Sequence, residues 1–162
     1  MNRSIYIAVF ALLIALSGCR KDPEVGGTAV QEMAGEWWVQ LEGDPGNYYH
    51  FSTYNTAANV PTEMWIDDLE TFWLMKGKVN VDIANLTFTG ANVENVSPDY
   101  VGSGETFTIV GGKIIKDGAV GPASKAVTDS IYFQVSFSDD PVPGTVYTLS
   151  GYRRTRFSED DH

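Results

Sequence analysis

The sequence has few of the side chains that most often build disulfides, metal sites and nucleophilic active sites. Among its 162 residues there is one cysteine, Cys19, and there are two histidines, His50 and His162. A single cysteine excludes an internal disulfide, so the folded part must be stabilised by an apolar core. The same scarcity argues against a zinc site, because zinc ligands are mostly cysteine and histidine.

Basic side chains are scarce as well. There are 11 lysines and arginines against 21 aspartates and glutamates, which gives a formal net charge of −10. Nucleic-acid binding depends on clustered lysines and arginines that neutralise phosphates, so nucleic acid is not expected as a partner. The acidic charge also gives no attraction to an anionic membrane surface, so membrane attachment would depend on acyl chains.

The N-terminal residues have the layout of a secretion signal. Arg3 supplies a positive start, residues 5–16 form an apolar run, and small residues precede Cys19. The apolar run is too short to span a bilayer as a helix. Leu-Ser-Gly-Cys at 16–19 resembles the lipobox of bacterial lipoproteins, which implies that residues 1–18 are removed and that Cys19 is acylated. The alternative is an ordinary signal peptide in which the cysteine is accidental.

Residues 19–34 are expected to join the lipidated cysteine to the folded domain as a flexible tether. The segment contains Pro23, Gly26 and Gly27 and almost no large apolar residue. A flexible coil of about 15 residues spans roughly 20 Å, enough to hold a domain clear of the headgroups. Arg20 differs from the aspartate that retains many lipoproteins in the inner membrane. The resemblance therefore implies an outer-membrane protein, on the periplasmic face or at the cell surface.

From Glu36 onward the chain is rich in aromatic and β-branched residues and has no run at helical spacing. Turn residues interrupt it every 8 to 14 positions, and the segments between them alternate apolar and polar side chains. This pattern predicts an all-β domain over residues 35–157, a single antiparallel up-and-down barrel of about eight strands. Residues 158–162 are expected to be an acidic tail. One predicted strand begins near Trp73, with Trp73, Met75 and Val79 on its apolar face.

Two connections can be predicted from their glycines and prolines. Gly111-Gly112 stands between two strand-like runs and predicts a two-residue hairpin turn. Residues 91–104 contain Pro98 and several small residues near their end, which predicts a long loop. A loop of that length is a candidate lid over one mouth of the barrel.

The first and last predicted strands carry a tryptophan and an arginine that are expected to pack against each other. Arg153 has the parity of the apolar face in the closing strand, where an unpaired charge is costly, and a guanidinium packs well over an indole. In a closed barrel these two strands are neighbours, so Trp37 is available. Gly35-Glu36-Trp37 with an arginine on the last strand resembles the structural signature of lipocalins and related calycins. The alternative places Arg153 at the barrel rim with its head in water.

Longer stretches resemble one particular family. They occur in the order Gly35–Val39, Tyr54–Ala57, Met64–Asp68, Lys76–Val79, Gly112–Ile115, Asp129–Phe133, Phe137–Asp140 and Gly151–Thr155. Together they resemble the Bacteroidetes family described as "lipid-binding putative hydrolase", whose domain is lipocalin-like. This resemblance covers nearly the whole folded part and implies two activities, lipid binding and hydrolysis.

The residues themselves offer little for hydrolysis. A serine nucleophile needs a base within hydrogen-bond reach, and His50 is the one internal histidine. Its alternation with Tyr49 and Phe51 predicts that it points away from the core, and no Gly-X-Ser-X-Gly motif is present. Hydrolysis of an ester-type substrate is therefore implied by the family resemblance alone and stays an alternative, since the residues show no convincing catalytic constellation.

Two pairs of carboxylates remain as candidate ligands for a cation. Asp67-Asp68 and Asp139-Asp140 each stand where a predicted strand ends. Adjacent strand residues point to opposite faces, so neither pair forms a catalytic dyad by itself. Solvated turn aspartates are the simpler interpretation, and a calcium ion joining the two turns is the alternative. No cofactor is expected.

Binding of an apolar molecule requires no catalytic residues, only a suitable apolar surface. An eight-stranded barrel can hold one small ligand, and 20 aromatic side chains could line such a site or simply fill the interior. If the interior is open, the predicted walls are Trp73, Met75, Phe107, Phe133 and Phe137. The alternative is an interaction module of a cell-envelope complex, with an exposed aromatic patch at Trp38, Tyr132 and Tyr152.

Overall fold

The computed structural model describes residues 26–162, which form a closed barrel of eight antiparallel strands. Each strand pairs with the next along the chain, and the last pairs with the first, so the predicted all-β up-and-down barrel is confirmed. The strands are β1 (Gly35–Leu41), β2 (Tyr49–Asn55), β3 (Glu63–Asp67), β4 (Lys76–Asp82), β5 (Thr87–Glu94), β6 (Thr106–Val120), β7 (Val127–Phe137) and β8 (Tyr147–Arg153). Cys19 and the predicted signal lie outside the described residues.

The alternation seen in the sequence defines the inner face of the barrel. In β7 every second residue from Asp129 to Phe137 is buried, and the residues between them are partly exposed. The inner faces of all strands meet in one apolar cluster, within which the ring centroid of Phe133 lies 5.5 Å from that of Phe51 and 5.9 Å from that of Phe88. The interior is filled by the protein's own side chains. Cavities occur on the outer wall and at the rim, for example beside Trp65 and Lys78, beside Tyr132, and between Asp68 and Ser97.

The two ends of the barrel differ. The loops at residues 42–48, 68–75, 95–105 and 138–146 lie together at one end, which we call the mouth. The opposite end, the closed end, is covered by a turn at residues 28–34. Val30 and Met33 in this turn are completely buried in the core, so the part of the expected tether nearest the barrel is packed rather than flexible.

Gly111 and Gly112 do not form the predicted hairpin turn but lie inside the long strand β6. The pairing of β6 with β7 shifts between Val110 and Lys113, which marks a bulge at the two glycines. Gly111 has a φ of 63°, and a Cβ at Gly112 would lie 2.5 Å from the carbonyl oxygen of Phe88. Glycine in a strand pattern signals a turn and a bulge equally well, which is why the prediction was wrong.

The predicted bounds of β4 and of the long loop also need correction. β4 begins at Lys76, because residues 68–75 are held in a loop by hydrogen bonds to Asp68, and Trp73 therefore belongs to the β3–β4 loop. β5 continues to Glu94, so the predicted loop at 91–104 corresponds to residues 95–105.

Residues 154–162 pack against the outside of the barrel instead of forming a solvated acidic tail. Asp160, in the short 3₁₀ helix η1 (Ser158–Asp160), is fully buried. Its carboxylate accepts hydrogen bonds from the backbone of Ala123 and Ser124 in the β6–β7 turn, at 2.8 and 2.9 Å. Arg154 donates two hydrogen bonds to Asp161, each 2.6 Å long. These contacts fix the last residues over the junction of β1 and β8.

Candidate functional site

Aromatic side chains close the mouth of the barrel. Trp73 stacks on Phe137 with ring centroids 4.6 Å apart and planes inclined by 7°. Phe72 lies edge-on to Tyr49 at 5.0 Å and to Tyr147 at 5.8 Å. These rings rest on the apolar core and are partly exposed, apart from the buried Phe137. They form the aromatic lid, a continuous apolar surface of five rings through which the interior meets solvent.

Of the five predicted wall residues, three lie in the core below the lid, and Trp73 and Phe137 belong to the lid itself. Met75, Phe107, Phe133 and Phe137 are buried, and Trp73 is partly exposed above them. Phe107, Phe133 and Phe137 have the predicted inward parity in their strands, whereas Trp73 and Met75 lie in the β3–β4 loop. The four buried side chains are part of the packed apolar cluster rather than the wall of a void. Access to them from the mouth passes Trp73 and its neighbour Phe72.

Carboxylates bind the polar tips of the lid aromatics. The indole nitrogen of Trp73 donates to Asp139 at 3.1 Å, and the hydroxyl of Tyr100 donates to the same carboxylate at 2.7 Å. The Tyr147 hydroxyl donates to Asp140 at 2.8 Å. The hydrogen bond to Asp139, with burial, raises the pKa of Tyr100 to about 12. With their polar atoms satisfied, the rings have their apolar faces left for contact with another molecule.

The buried carboxylate of Asp68 holds the loop that carries Phe72 and Trp73. It accepts hydrogen bonds from the backbone nitrogens of Glu70, Phe72 and Trp73 at 3.0, 3.3 and 2.6 Å. The backbone nitrogen of Asp68 donates to the carbonyl of Met75 at 2.9 Å, which closes the loop. Burial raises the pKa of Asp68 despite these hydrogen bonds. Asp67, Asp68 and Asp140 are thus buried loop anchors and not the solvated turn aspartates that were expected.

The mouth carries charge of one sign. Its four loops contain no lysine, arginine or histidine, and they contain eight carboxylates: Glu42, Asp44, Asp68, Glu70, Asp99, Glu105, Asp139 and Asp140. None of the eight forms an ion pair with a basic side chain among the described residues. The mouth therefore has a negative potential that favours cationic groups.

A cavity of about 250 Å³ opens at the rim of the mouth, between the β3–β4 and β5–β6 loops. Its lining residues are Asp67, Asp68, Leu69, Glu70, Lys76, Ser97 and Pro98. Within it, the ammonium of Lys76 lies 2.9 Å from the carboxylate of Asp67, which also accepts a hydrogen bond from Tyr54.

The two predicted carboxylate pairs meet at the mouth, where Trp73 joins them through hydrogen bonds. Asp68 accepts from the backbone nitrogen of Trp73 and Asp139 from its indole. No cluster of three or more histidine, cysteine, aspartate or glutamate side chains suited to a metal ion occurs within residues 26–162.

The predicted structural pair lies at the closed end, away from the mouth. The guanidinium carbon of Arg153 is 4.9 Å from the ring centroid of Trp37, and a terminal nitrogen is 3.3 Å from Asp129. Arg153 also donates to the carbonyl of Glu32 in the covering turn, at 3.1 Å. A Cβ at Gly35 would lie 3.0 Å from the Arg153 side chain, so glycine leaves room for the guanidinium.

His50 is on the outer wall, stacked on Trp38 with centroids 4.5 Å apart. Its Nε2 is buried and makes no hydrogen bond with any described residue, so no nucleophile is paired with it. The predicted exposed patch is wrong for Trp38 and Tyr152, which are only 8% and 7% exposed. Asp161 accepts from the indole of Trp38, and the carbonyl of Asp160 accepts from Tyr152.

A family model described as "lipid-binding putative hydrolase" matches residues 22–158. The chain belongs to this family. The match spans the whole barrel, in agreement with the resemblance of the strand segments, and it supports a lipid-binding function. No curated protein is similar enough in sequence to match the chain. None of the helical segments in residues 26–162 is long and apolar enough to cross a membrane.

Sequence reasoning missed several residues of the mouth. Phe72 was not singled out, since it lies in a loop and follows no alternating pattern. Tyr49 was not named as a wall residue, although its alternation with His50 gives it inward parity. Tyr147 has the inward parity of β8 and could have been found from it. Asn95 and Ser97 are ordinary loop residues in the sequence, and only the fold brings them against the β3–β4 loop.

Proposed function

We propose that this member of the lipid-binding family is an outer-membrane lipoprotein whose barrel binds an apolar ligand, an acyl chain or similar group, at its mouth. The observation that carries the proposal is the aromatic lid. Five rings form one connected cluster directly on the core, with their polar atoms already bonded, and four of the five are partly exposed. Apolar surfaces with a few fixed polar groups are typical of sites for small apolar molecules.

The filled interior determines how a chain could bind. A ligand has to separate Phe72 and Trp73 from the rings beneath them and take over their contacts. Each methylene group buried in this way contributes about 0.8 kcal/mol. Six to eight methylenes therefore contribute about 5 to 6 kcal/mol, enough to offset the loss of a few ring contacts worth about 1 kcal/mol each.

Attachment to the membrane is assigned to acyl chains on Cys19. The lipobox-like segment supports acylation, and Arg20 at the next position supports the outer membrane over the inner one. The acidic surface supplies no affinity for anionic headgroups, and two or more acyl chains are sufficient for stable anchoring. Cys19→Ser should abolish incorporation of labelled palmitate and release the mature protein from membranes. Unchanged labelling of this variant would contradict the anchoring part of the proposal.

Ligand binding is tested by native mass spectrometry of the full chain released from its own membranes under mild conditions. We expect a population carrying a bound lipid beyond the mass of the anchor, and its loss in Trp73→Ala. Trp65→Ala is the matched control, since Trp65 is a partly exposed tryptophan on the outer wall, where Lys78 lies over its ring. A wild-type protein without adducts, which also fails to take up added lipid, would refute the proposal.

A further inference from the structure

Ser97 is the unusual member of the rim cavity. The residue is 3% exposed, and its hydroxyl is buried without a hydrogen-bond partner among residues 26–162. Buried hydroxyl groups nearly always have a protein or water partner, so an unpaired one on a residue that lines a cavity indicates a place where a ligand atom could bond. The hydroxyl can donate one hydrogen bond and accept others.

The walls of this cavity are held rigidly. Asn95, itself buried, accepts hydrogen bonds from the backbone nitrogens of Lys76 and Ser97, both at 3.1 Å. Its amide nitrogen donates to the carbonyl of Leu74 at 3.1 Å. One side chain thus joins the β5–β6 loop, which carries Ser97, to the β3–β4 loop. A site with preformed walls loses less entropy when a ligand binds.

The charges that face the cavity leave it negative. Asp67, Asp68 and Glu70 are the acidic members of the lining, and Lys76 is the one basic member. The Lys76 ammonium is engaged by Asp67 at 2.9 Å, so two carboxylates remain without a cation. Burial raises the pKa of Asp68, and a positive charge in the adjoining cavity would relieve that cost.

We propose that this rim cavity is the headgroup site of the mouth and that it binds the primary ammonium group of an amphiphile. The alkyl chain then lies against Phe72 and Trp73, which follow the cavity residues Leu69 and Glu70 on the same loop. The inference rests on the proposed function, because it assigns a headgroup to the ligand whose chain binds at the aromatic lid. The ammonium donates to the Ser97 hydroxyl and to the Glu70 carboxylate.

Other headgroups fit the cavity less well. An anionic head would meet Asp68, Glu70 and the negative field of the mouth loops, and only Lys76, already paired, could oppose them. A neutral hydroxyl could bond to Ser97 but would gain nothing from the carboxylates. Charged hydrogen bonds are roughly twice as strong as neutral ones, so the ammonium is the preferred group.

Octylamine, 1-octanol and octanoate have the same alkyl chain and differ in their headgroup. Comparing their affinities therefore separates the contribution of the headgroup from that of the chain. Each is titrated against the full chain held in nanodiscs of neutral lipid, and binding is followed by the tryptophan fluorescence change that Trp73→Phe abolishes. We expect octylamine to bind about tenfold more tightly than octanol, and octanoate to bind most weakly. Ser97→Ala should weaken octylamine about tenfold and octanol by clearly less, because the neutral hydrogen bond is the weaker one. Glu70→Gln should weaken octylamine about tenfold and leave octanol unchanged.

The variants and their control distinguish the possible failures. Ser97→Ala breaks no hydrogen bond of the folded protein, and Glu159→Gln removes a carboxylate far from the mouth and should change nothing. Equal affinities for the three probes, or an equal loss of octanol binding in Ser97→Ala, would overturn the headgroup assignment while chain binding stands. If none of the probes binds, the proposed function fails and the headgroup assignment fails with it.

Discussion

Replacing Trp37 with alanine should remove a large part of the stability of the barrel. Trp37 is fully buried and is the largest side chain of the core. Its indole nitrogen donates to the hydroxyl of Thr53 at 2.9 Å, and its ring carries the guanidinium of Arg153 at 4.9 Å. Deleting a buried tryptophan side chain typically costs about 3 to 5 kcal/mol, through lost burial and the cavity left behind.

The stacked arginine adds to this cost. Without the indole, Arg153 keeps its contacts with Asp129 and the Glu32 carbonyl, but one face of the guanidinium lies over a void. A cation–π contact contributes about 0.5 to 2 kcal/mol. We therefore expect Trp37→Ala to lower the free energy of unfolding by about 4 kcal/mol, equivalent to a fall in Tm of about 12 °C for a domain of this size.

Equilibrium urea unfolding followed by circular dichroism measures the difference. Trp65→Ala is the control, since Trp65 is partly exposed on the outer wall and its loss should cost about 1 kcal/mol or less. A double-mutant cycle of Trp37→Phe with Arg153→Met should give a coupling of about 0.5 to 2 kcal/mol. A Trp37→Ala protein within about 1 kcal/mol of wild type would refute the argument that this pair packs the closed end.

Three further changes test other parts of the structure. Gly112→Ala should lower stability by about 1 to 3 kcal/mol in the same unfolding assay, because its Cβ would lie 2.5 Å from a β5 carbonyl oxygen; wild-type stability would disprove the bulge. The hydrogen bond from Arg154 lowers the pKa of Asp161 to about 2, so its stabilising contribution is complete above its ordinary pKa near 4 and is lost as the pH falls toward 2. Asp161→Asn should therefore show a flatter dependence of stability on pH over that range, and an unchanged slope would count against the contact. Asp139→Asn should bring the pKa of Tyr100 from about 12 back toward 10, as read by ultraviolet titration, whereas an unmoved pKa would show that Asp139 is not its partner.

The carboxylates at the mouth hold the aromatic lid in place through hydrogen bonds. A carboxylate can accept several hydrogen bonds, so Asp139 holds both Trp73 and Tyr100, and Asp68 holds three backbone nitrogens. Asp139 is partly exposed, so solvent screens its charge, whereas Asp68 is buried and depends on the hydrogen bonds from the backbone. The same groups then give the mouth its preference for a positively charged headgroup.

The sequence by itself determined the architecture of the barrel. Period-two alternation is a local property, so the inward side chains of β7 from Ile131 to Phe137 can be assigned to one face from the sequence. The parity of Arg153 placed it on the inner face, and closure of the sheet made Trp37 its neighbour. The lipobox-like segment ending at Cys19 is also a local sequence pattern, and the proposed outer-membrane location of the protein follows from it.

Tertiary structure decided what local patterns leave open. Whether aromatic side chains line a void or fill it depends on how inner faces from all eight strands meet, and here they fill it. The burial of Trp38 and Tyr152 depends on residues 154–162 folding back onto the outer wall. The unpaired hydroxyl of Ser97 arises only where two loops separated by about twenty residues are joined by Asn95. Such contacts between distant segments have no sequence period, because they depend on the shape of the closed barrel rather than on neighbouring residues.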